Sequence, residues 1–322
     1  MPGSNQLSLF DPPPTAKIDL TPAGAWELDS TKRALDDLFS LTFQYRTSKS
    51  YHELMKFVAR FRSYSPFNAM LMHIQMPGAT FVAPPHRWRD DWDRTIKPGA
   101  RPLVILQPMG PVMFVFDVSD TVPQKNAKEL PKEVENPFKV EKGFIGGEFN
   151  RLIENAIRDG IRITQVQDGS QSAGSISTVD PGNQSTQRIQ NGVDKIRQPL
   201  FVDVPVKYDL FINAKHNVAT QYATVAHELA HLYCGHLGTP NPKWWPDRRG
   251  LDTTVAEFEA ESVTYMVCRR LGVFPPSHEY LAGYLNEPQV PAISLDRVMK
   301  AAGLIATMSK EKLKVREKEK GS

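Results

Sequence analysis

Residues 225–238 read VAHELAHLYCGHLG, with three histidines, a glutamate and a cysteine inside ten positions. His227-Glu228-x-x-His231 places two imidazoles one turn apart on the same face of a helix, where both can reach a single ion. Glu228 projects beside them, positioned to take a proton from an attacking water. A catalytic zinc needs a third protein ligand, which this pentad does not contain.

His236 is the nearest candidate, but its spacing is wrong. The metzincin pattern puts glycine three and histidine six residues after the second ligand; here Gly235 is at four and His236 at five. His236 is therefore expected behind a ligand or at the surface, and Cys234 as a packed core thiol. The better third ligand lies 26 positions past His231 (257 minus 231), in Glu257-Phe258-Glu259-Ala260-Glu261. Glu257 would complete a His-His-Glu set, and Glu261, one turn on, could accept the other N–H of a ligating imidazole. Thr254-x-x-Glu257 is also a capping box, which would explain Glu257 with no metal at all.

HELAHLYCGH followed by EFEAES resembles the ImmA/IrrE-type zincin metallopeptidases in their gluzincin arrangement, over roughly residues 140–275. The resemblance implies that the third ligand is a glutamate in an E-x-x-A-[DNE] motif, matched by Glu257 through Glu261. It also implies a small sheet whose edge strand, here YDLFINA (208–214), lies beside the motif helix and accepts an extended substrate peptide. One zinc ion on His227, His231 and Glu257 would polarise the scissile carbonyl, with Glu228 passing the proton to the leaving amine. Tyr265, eight residues past Glu257, is a candidate oxyanion donor or else a core tyrosine.

These residues need elements to hold them. The motif helix is predicted to begin near Thr220 and to stop at Gly235, and a second helix, TVAEFEAESVTYMVCRRLG, to stop at Gly272. EFNRLIENAIRDGIRITQVQ reads as a helix, a glycine stop at Gly160, then a strand. Residues 168–198, rich in Gly, Ser, Gln and Asn, read as a long loop. Upstream, SPFNAMLMHIQMP is a helix opened by Pro66, and RPLVILQP and VMFVFDV are a small antiparallel pair. The expected class is α+β: a disordered tail (1–25), a small helical and β N-terminal domain (26–122), a linker (123–139), a zincin-like domain (140–300) and a charged tail (301–322).

Residues 43–101 carry ten Lys/Arg against four Asp/Glu, although the whole chain is only +3. Phe67, Trp88 and Trp92 lie among Arg87, Arg94, Lys97 and Arg101, the mixture that follows a single-stranded backbone and stacks on its bases. The alternative is that the tryptophans pack a core while arginines pair with Asp90, Asp91 and Asp93. The pattern SPFNAMLMHIQMPGAT…W…W…KPGARPLVILQP…FDVSDT resembles the N-terminal domain of ArdC-type antirestriction proteins over roughly residues 35–122, which implies association with single-stranded DNA. Gln6-Leu7-Ser8-Leu9-Phe10 resembles the pentapeptide by which bacterial replication and repair proteins dock on the sliding clamp; the alternative is a tail folded back on the protein.

Two cysteines are too few for a disulfide framework, the N-terminus has no signal-peptide pattern, and no apolar run approaches a membrane span. A cytoplasmic location is expected. The functional expectation is a zinc metalloendopeptidase cleaving a cytosolic protein, a DNA-binding regulator being one candidate. The rival is a single-strand-binding antirestriction-type protein with a structural zinc; a third reading is a regulator that only binds a partner protein.

Overall fold

A computed structural model describes residues 45, 47–107, 110–130, 145–167, 174–180, 182, 185–194, 196–274 and 289–316. The 1–25 tail with its clamp-like pentapeptide, the first residues of the N-terminal domain (26–44) and linker residues 131–139 lie outside them. Among the described residues the chain is mixed helix and strand: seven α-helices and several small sheets. No helix among them is long and apolar enough to cross a membrane.

The N-terminal part begins with α1 (Ser48–Arg60), whose N-cap Thr47 accepts the Ser50 amide, and α2 (Pro66–Gln75). Pro66 sits at the start of α2 as expected, with Ser65 capping the Asn68 amide at 3.2 Å. After β1 (Val82–Ala83), α3 (Pro85–Trp92) and β2 (Arg94–Ile96), the expected antiparallel pair forms as β3 (Leu103–Gln107) and β4 (Gly110–Asp117). β1 joins the other side of β4. The first linker residue already belongs to structure: β5 (Thr121–Pro123) pairs with β2, and Gln124 and Lys128 donate to Asp93 and Trp92 carbonyls.

The second part opens with α4 (Gly147–Arg158), turns at Gly160 as expected, and enters β6 (Ile161–Val166). Two expectations fail next. The 168–198 stretch is not one long loop: it supplies β7 (Gly174–Thr178) and β8 (Thr186–Val193), the latter forming a ribbon with β9 (Pro199–Pro205). β10 (Tyr208–Asn213) is not the edge strand either. Sheet order is β6-β10-β7, with β10 parallel to β6 and antiparallel to β7, so the edges are β6 and β7, and the polar β7 is the edge that packs on the motif helix. The physical reason is legible afterwards. β10 has burial on nearly every alternate residue and reads as a central strand, whereas Gly-Ser-Ile-Ser-Thr has one large apolar side chain and a half-exposed edge.

α5 (Val218–Cys234) and α6 (Thr253–Arg270) pack together below this sheet, and α7 (Leu295–Lys310) crosses α2, α4, α5 and α6. α7 corrects the expected charged tail from 301: Ala301, Ala302, Ile305 and Met308 are buried, and the segment is core up to Lys310. Beyond it Arg316 pairs with buried Asp159 at 2.9 Å. One hydrophobic core runs from Tyr45 to Met308 through both parts. Tyr51 of α1 donates to Ser262 of α6 at 2.7 Å, and the buried Arg270 guanidinium donates to the Val58, Arg62 and Tyr64 carbonyls at the end of α1. These carbonyls offset the desolvation of a charge that would otherwise be costly to bury.

β7 can lie this close to α5 only because residue 174 is glycine. A Cβ there would meet Phe211 O at 2.5 Å and Thr224 Cγ2 at 2.6 Å, backbone on one side and helix on the other. Gly174→Ala is expected to destabilise the fold by about 1–3 kcal/mol through this overpacking. Denaturant unfolding of the two proteins checks it, and an unchanged midpoint would show that the edge strand yields freely.

Candidate metal centre

α5 begins at N-cap Asn217, which accepts the Thr220 amide, three residues before the expected start, and ends as expected at Gly235. Its one polar face carries His227, Glu228 and His231, while Ala226, Leu229, Ala230 and Leu232 are fully buried. α6 is capped by Asp252, which accepts the Thr254 amide at 2.9 Å. The capping-box alternative for Glu257 thus falls away: with Asp252 as the cap, Glu257 lies two residues beyond the position that could return to it.

His227 Nε2, His231 Nε2 and the Glu257 carboxylate converge into one group of donors. The two nitrogens are 3.2 Å apart, His227 Nε2 is 3.5 Å from Glu257 Oε2, and His231 Nε2 is 3.4 Å from Glu257 Oε1. Donors held about 2.0–2.1 Å from a tetrahedral ion stand about 3.4 Å apart, so this triangle fits one face of such a coordination shell. The Glu257 side chain is 41% exposed, which leaves the remaining corner toward solvent.

The electrostatics match that convergence. Hydrogen bonding to His227 and His231 holds the Glu257 carboxyl well below the usual carboxylate range. Burial works against a charged His227, but Glu257, Glu261 and Glu228 outweigh it and raise its pKa. Glu261 Oε1 lies 3.6 Å from His227 Nδ1, on the ring's far side from Glu257. Burial raises the Glu228 pKa, with the neighbouring imidazoles and a hydrogen bond from the Ile176 backbone pulling the other way. That amide belongs to β7, so Glu228 touches the edge strand.

Tyr265 is not brought to this centre. Eight residues of helix put it about 12 Å along α6 from Glu257. It is 5% exposed in the core and bonds to Arg269, whose guanidinium is 6.0 Å from its ring. Cys234 is the buried thiol expected, pushed up by desolvation, and Cys268 is buried as well.

His236 lies behind the ligand His231, one of its two expected places, whereas Glu259 and Arg248 behind it were not expected. Gly235 takes φ +90° and ends α5 in a Schellman turn, with His236 N bonding to His231 O at 2.9 Å and Gly235 N to Leu232 O at 3.0 Å. A side chain on Gly235 would run into the Pro246 carbonyl. The turn folds His236 back so that its Nδ1 is 3.0 Å from His231 Nδ1 and its Nε2 is 2.9 Å from Glu259 Oε2. Glu259, fully buried, also accepts two bonds from Arg248 at 2.7 and 2.8 Å and the Ser294 amide at 2.6 Å. Burial disfavours its charge, yet His236, Arg248 and Ser294 together hold its pKa low. A helical wheel offered one signal: residue 259 points away from the face shared by 257 and 261.

The N-terminal candidates mostly follow their packing alternative. Trp88 is 0% exposed, its indole N–H donates to Phe116 O, and it cannot stack on a base. Trp92 is half-buried, edge-on to Phe81, with the Arg87 guanidinium over its ring and Arg87 paired to Asp91 at 2.8 Å. Arg94 bonds to Thr121 and Lys97 to the Ser119 carbonyl. Phe67 packs against the core, and Arg101 is exposed.

Residues 187–268, from β8 nearly to the end of α6, match the family model Peptidase_M78, described as IrrE N-terminal-like domain. The chain therefore carries an ImmA/IrrE-type domain, and the matched segment contains all three donors and Glu228. Among solved structures, the chain is similar to the antirestriction protein ArdC from plasmid R388. The metal-free form is 13% identical over 76% of this chain and 84% of that one, with a TM-score of 0.33. The Mn(II)-bound form is 13% identical over 81% and 97%, with a TM-score of 0.35. No curated protein matches the chain.

Arg248→Leu removes the cation from a buried carboxylate that keeps its other partners. It is expected to cost about 3–5 kcal/mol of stability. Thermal or denaturant unfolding of the metal-free proteins reads this directly; a loss below about 1 kcal/mol would mean that Glu259 is neutralised by other means.

Proposed function

We propose that this protein is a zinc-dependent metalloendopeptidase of gluzincin type, its zinc held by His227, His231 and Glu257. The observation that carries the reading is the donor triangle of 3.2–3.5 Å edges, with Glu228 between it and an open strand edge. Zinc suits two imidazoles and one carboxylate, and three protein ligands with a free corner are the pattern of catalytic rather than closed structural sites. This is what favours the peptidase over a binding protein with a structural zinc.

A zinc ion in this site would supply Lewis-acid polarisation of a peptide carbonyl and make water acidic enough to attack near neutral pH. The chain supplies the rest. β7 has no strand paired to its outer edge among the described residues, so an extended substrate segment can add there by main-chain hydrogen bonds. That moves the expected docking strand from 208–214 to Gly174–Thr178. Glu228, its pKa raised by burial, takes the proton of the attacking water and returns it to the leaving amine nitrogen. Glu261 orients His227 from behind, and Glu257 completes the ligand set.

The substrate we propose is a protein of the same cytoplasmic compartment presented as an extended segment, with a DNA-binding regulator as the leading candidate. Association of the N-terminal part with single-stranded DNA is the second element of the proposal. It rests on the exposed Arg87, Arg89, Lys97 and Arg101, with the Arg87 guanidinium over the half-buried Trp92 ring. Replacing Trp92 and Arg101 together by alanine should weaken binding to an oligodeoxythymidine probe at least tenfold and flatten its salt dependence. Fluorescence anisotropy at several salt concentrations measures this, and absence of salt-sensitive binding by the unmodified protein ends that part of the reading.

The peptidase reading is tested in two layers. Purified protein should bind one zinc per chain, with His231→Ala and Glu257→Ala losing it; elemental analysis after dialysis decides. Glu228→Gln should keep the zinc and the fold while abolishing proteolysis. Comparing new protein N-termini in cells expressing the wild type or Glu228→Gln reads the second layer. Identical sets of termini would remove the peptidase and leave a zinc-binding protein.

A further inference from the structure

The structure assigns His236 as the residue that fixes the tautomer of His231 and so makes it a metal ligand. This rests on the zinc site proposed above but concerns a residue outside the ligand set, which the zincin pattern placed one position away from any ligand role.

The assignment follows from which atoms must hold protons. Glu259 is a fully buried carboxylate that accepts from both Nη atoms of Arg248 and from the Ser294 amide, so it is charged and can only accept. His236 Nε2 lies 2.9 Å from Glu259 Oε2 and must therefore carry a hydrogen, because a lone pair there would face a carboxylate. With one ring proton committed to Glu259, the nitrogen that can accept from His231 is Nδ1. His231 Nδ1 is 3.0 Å from that nitrogen and must donate to it. The remaining lone pair of His231 is thus on Nε2, the atom 3.2 Å from His227 Nε2 and 3.4 Å from Glu257 Oε1. The opposite tautomer would aim an N–H at the ion.

Geometry makes this order rigid. The His236 side chain is 6% exposed, the Schellman turn at Gly235 fixes its backbone, and the Arg248 guanidinium is tied to Cys234 O at 3.0 Å as well as to Glu259. His236 is a positioning residue: it reaches the ion only through His231, and the Glu259 charge reaches His231 only through His236.

Two variants separate positioning from packing. In His236→Gln the amide nitrogen stands near the lost Nε2, so Glu259 keeps a donor while His231 loses its acceptor. In His236→Asn the amide oxygen stands near the lost Nδ1, so His231 keeps its acceptor. Zinc affinity of the full-length proteins, measured by competition with a chromophoric chelator, should fall about 10- to 100-fold in His236→Gln. His236→Asn should recover most of that loss, even where its metal-free stability is the lower of the two. Equal affinity of His236→Gln and wild type, with His236→Gln folded, overturns the assignment.

A second measurement needs no variant. In zinc-loaded protein labelled with nitrogen-15 histidine, His236 should show its proton on Nε2 and His231 its proton on Nδ1. A proton on His236 Nδ1 overturns the assignment equally. Wild-type protein that binds no zinc at all would instead remove the metal-centre reading itself, an outcome distinct from both.

Discussion

The structure is organised around one buried charge. Glu259 has no exposed surface, and removing a carboxylate from water costs several kcal/mol unless its acceptor sites are filled. They are filled from three segments: Arg248 from the loop after α5, His236 from the helix stop itself, and Ser294 from the start of α7. Each of these must be in place at once, because any partner missing leaves a desolvated oxygen. The cluster therefore does more than hold α6. It sets where the chain goes after Gly235, how the 244–250 loop returns, and where α7 begins.

From that constraint the rest of the site inherits its precision. α5 and α6 meet through small side chains, Ala226 and Ala230 on one helix and Ala260 on the other, all fully buried. Close approach of the two backbones is what lets a glutamate side chain on α6 reach two imidazoles on α5. On the other side of α5, Gly174 brings β7 down to the helix, and the Ile176 amide meets Glu228. His227 and His231, Glu228 and the strand edge thus all meet along one helix. α1 and α2 contribute at a distance: Tyr51 and the carbonyls around Arg270 hold α6 from its outer side, so the N-terminal part is a support for the centre whatever else it binds.

Much of the centre was legible in the sequence because its signals are local. His227, Glu228 and His231 are fixed by helical spacing, Gly235 by the demand for a left-handed residue at a helix stop, and Glu257 with Glu261 by a second one-turn spacing. What was illegible depended on distant partners. β7 has too few apolar residues to announce a strand, and is one only because β10 and α5 offer it a place. The edge position of YDLFINA was what the family resemblance implied, and its own near-continuous apolar pattern fits the central place it takes between β6 and β7. The tryptophans of 88 and 92 carry arginines beside them in either role; only burial of Trp88 under Phe81 and beside Phe116 O distinguishes core from platform. Glu259 was hidden among three glutamates at alternate positions, where chemistry drew the eye to 257 and 261.

The carboxylates around the imidazoles sit in different environments, and the proposed peptidase reading gives each a role. Glu257 and Glu228 lie against the same pair of histidines, yet their pKa values are driven apart: hydrogen bonding pulls Glu257 down, while burial pushes Glu228 up. Two acids with opposed environments are the arrangement that lets one remain an ionised ligand while the other exchanges a proton. The position of Glu228, bonded to an edge amide that a substrate backbone would approach, adds the direction of that exchange. Under the proposed peptidase reading, a peptide lying along β7 would bring its amide nitrogen to Glu228, the residue placed to protonate it.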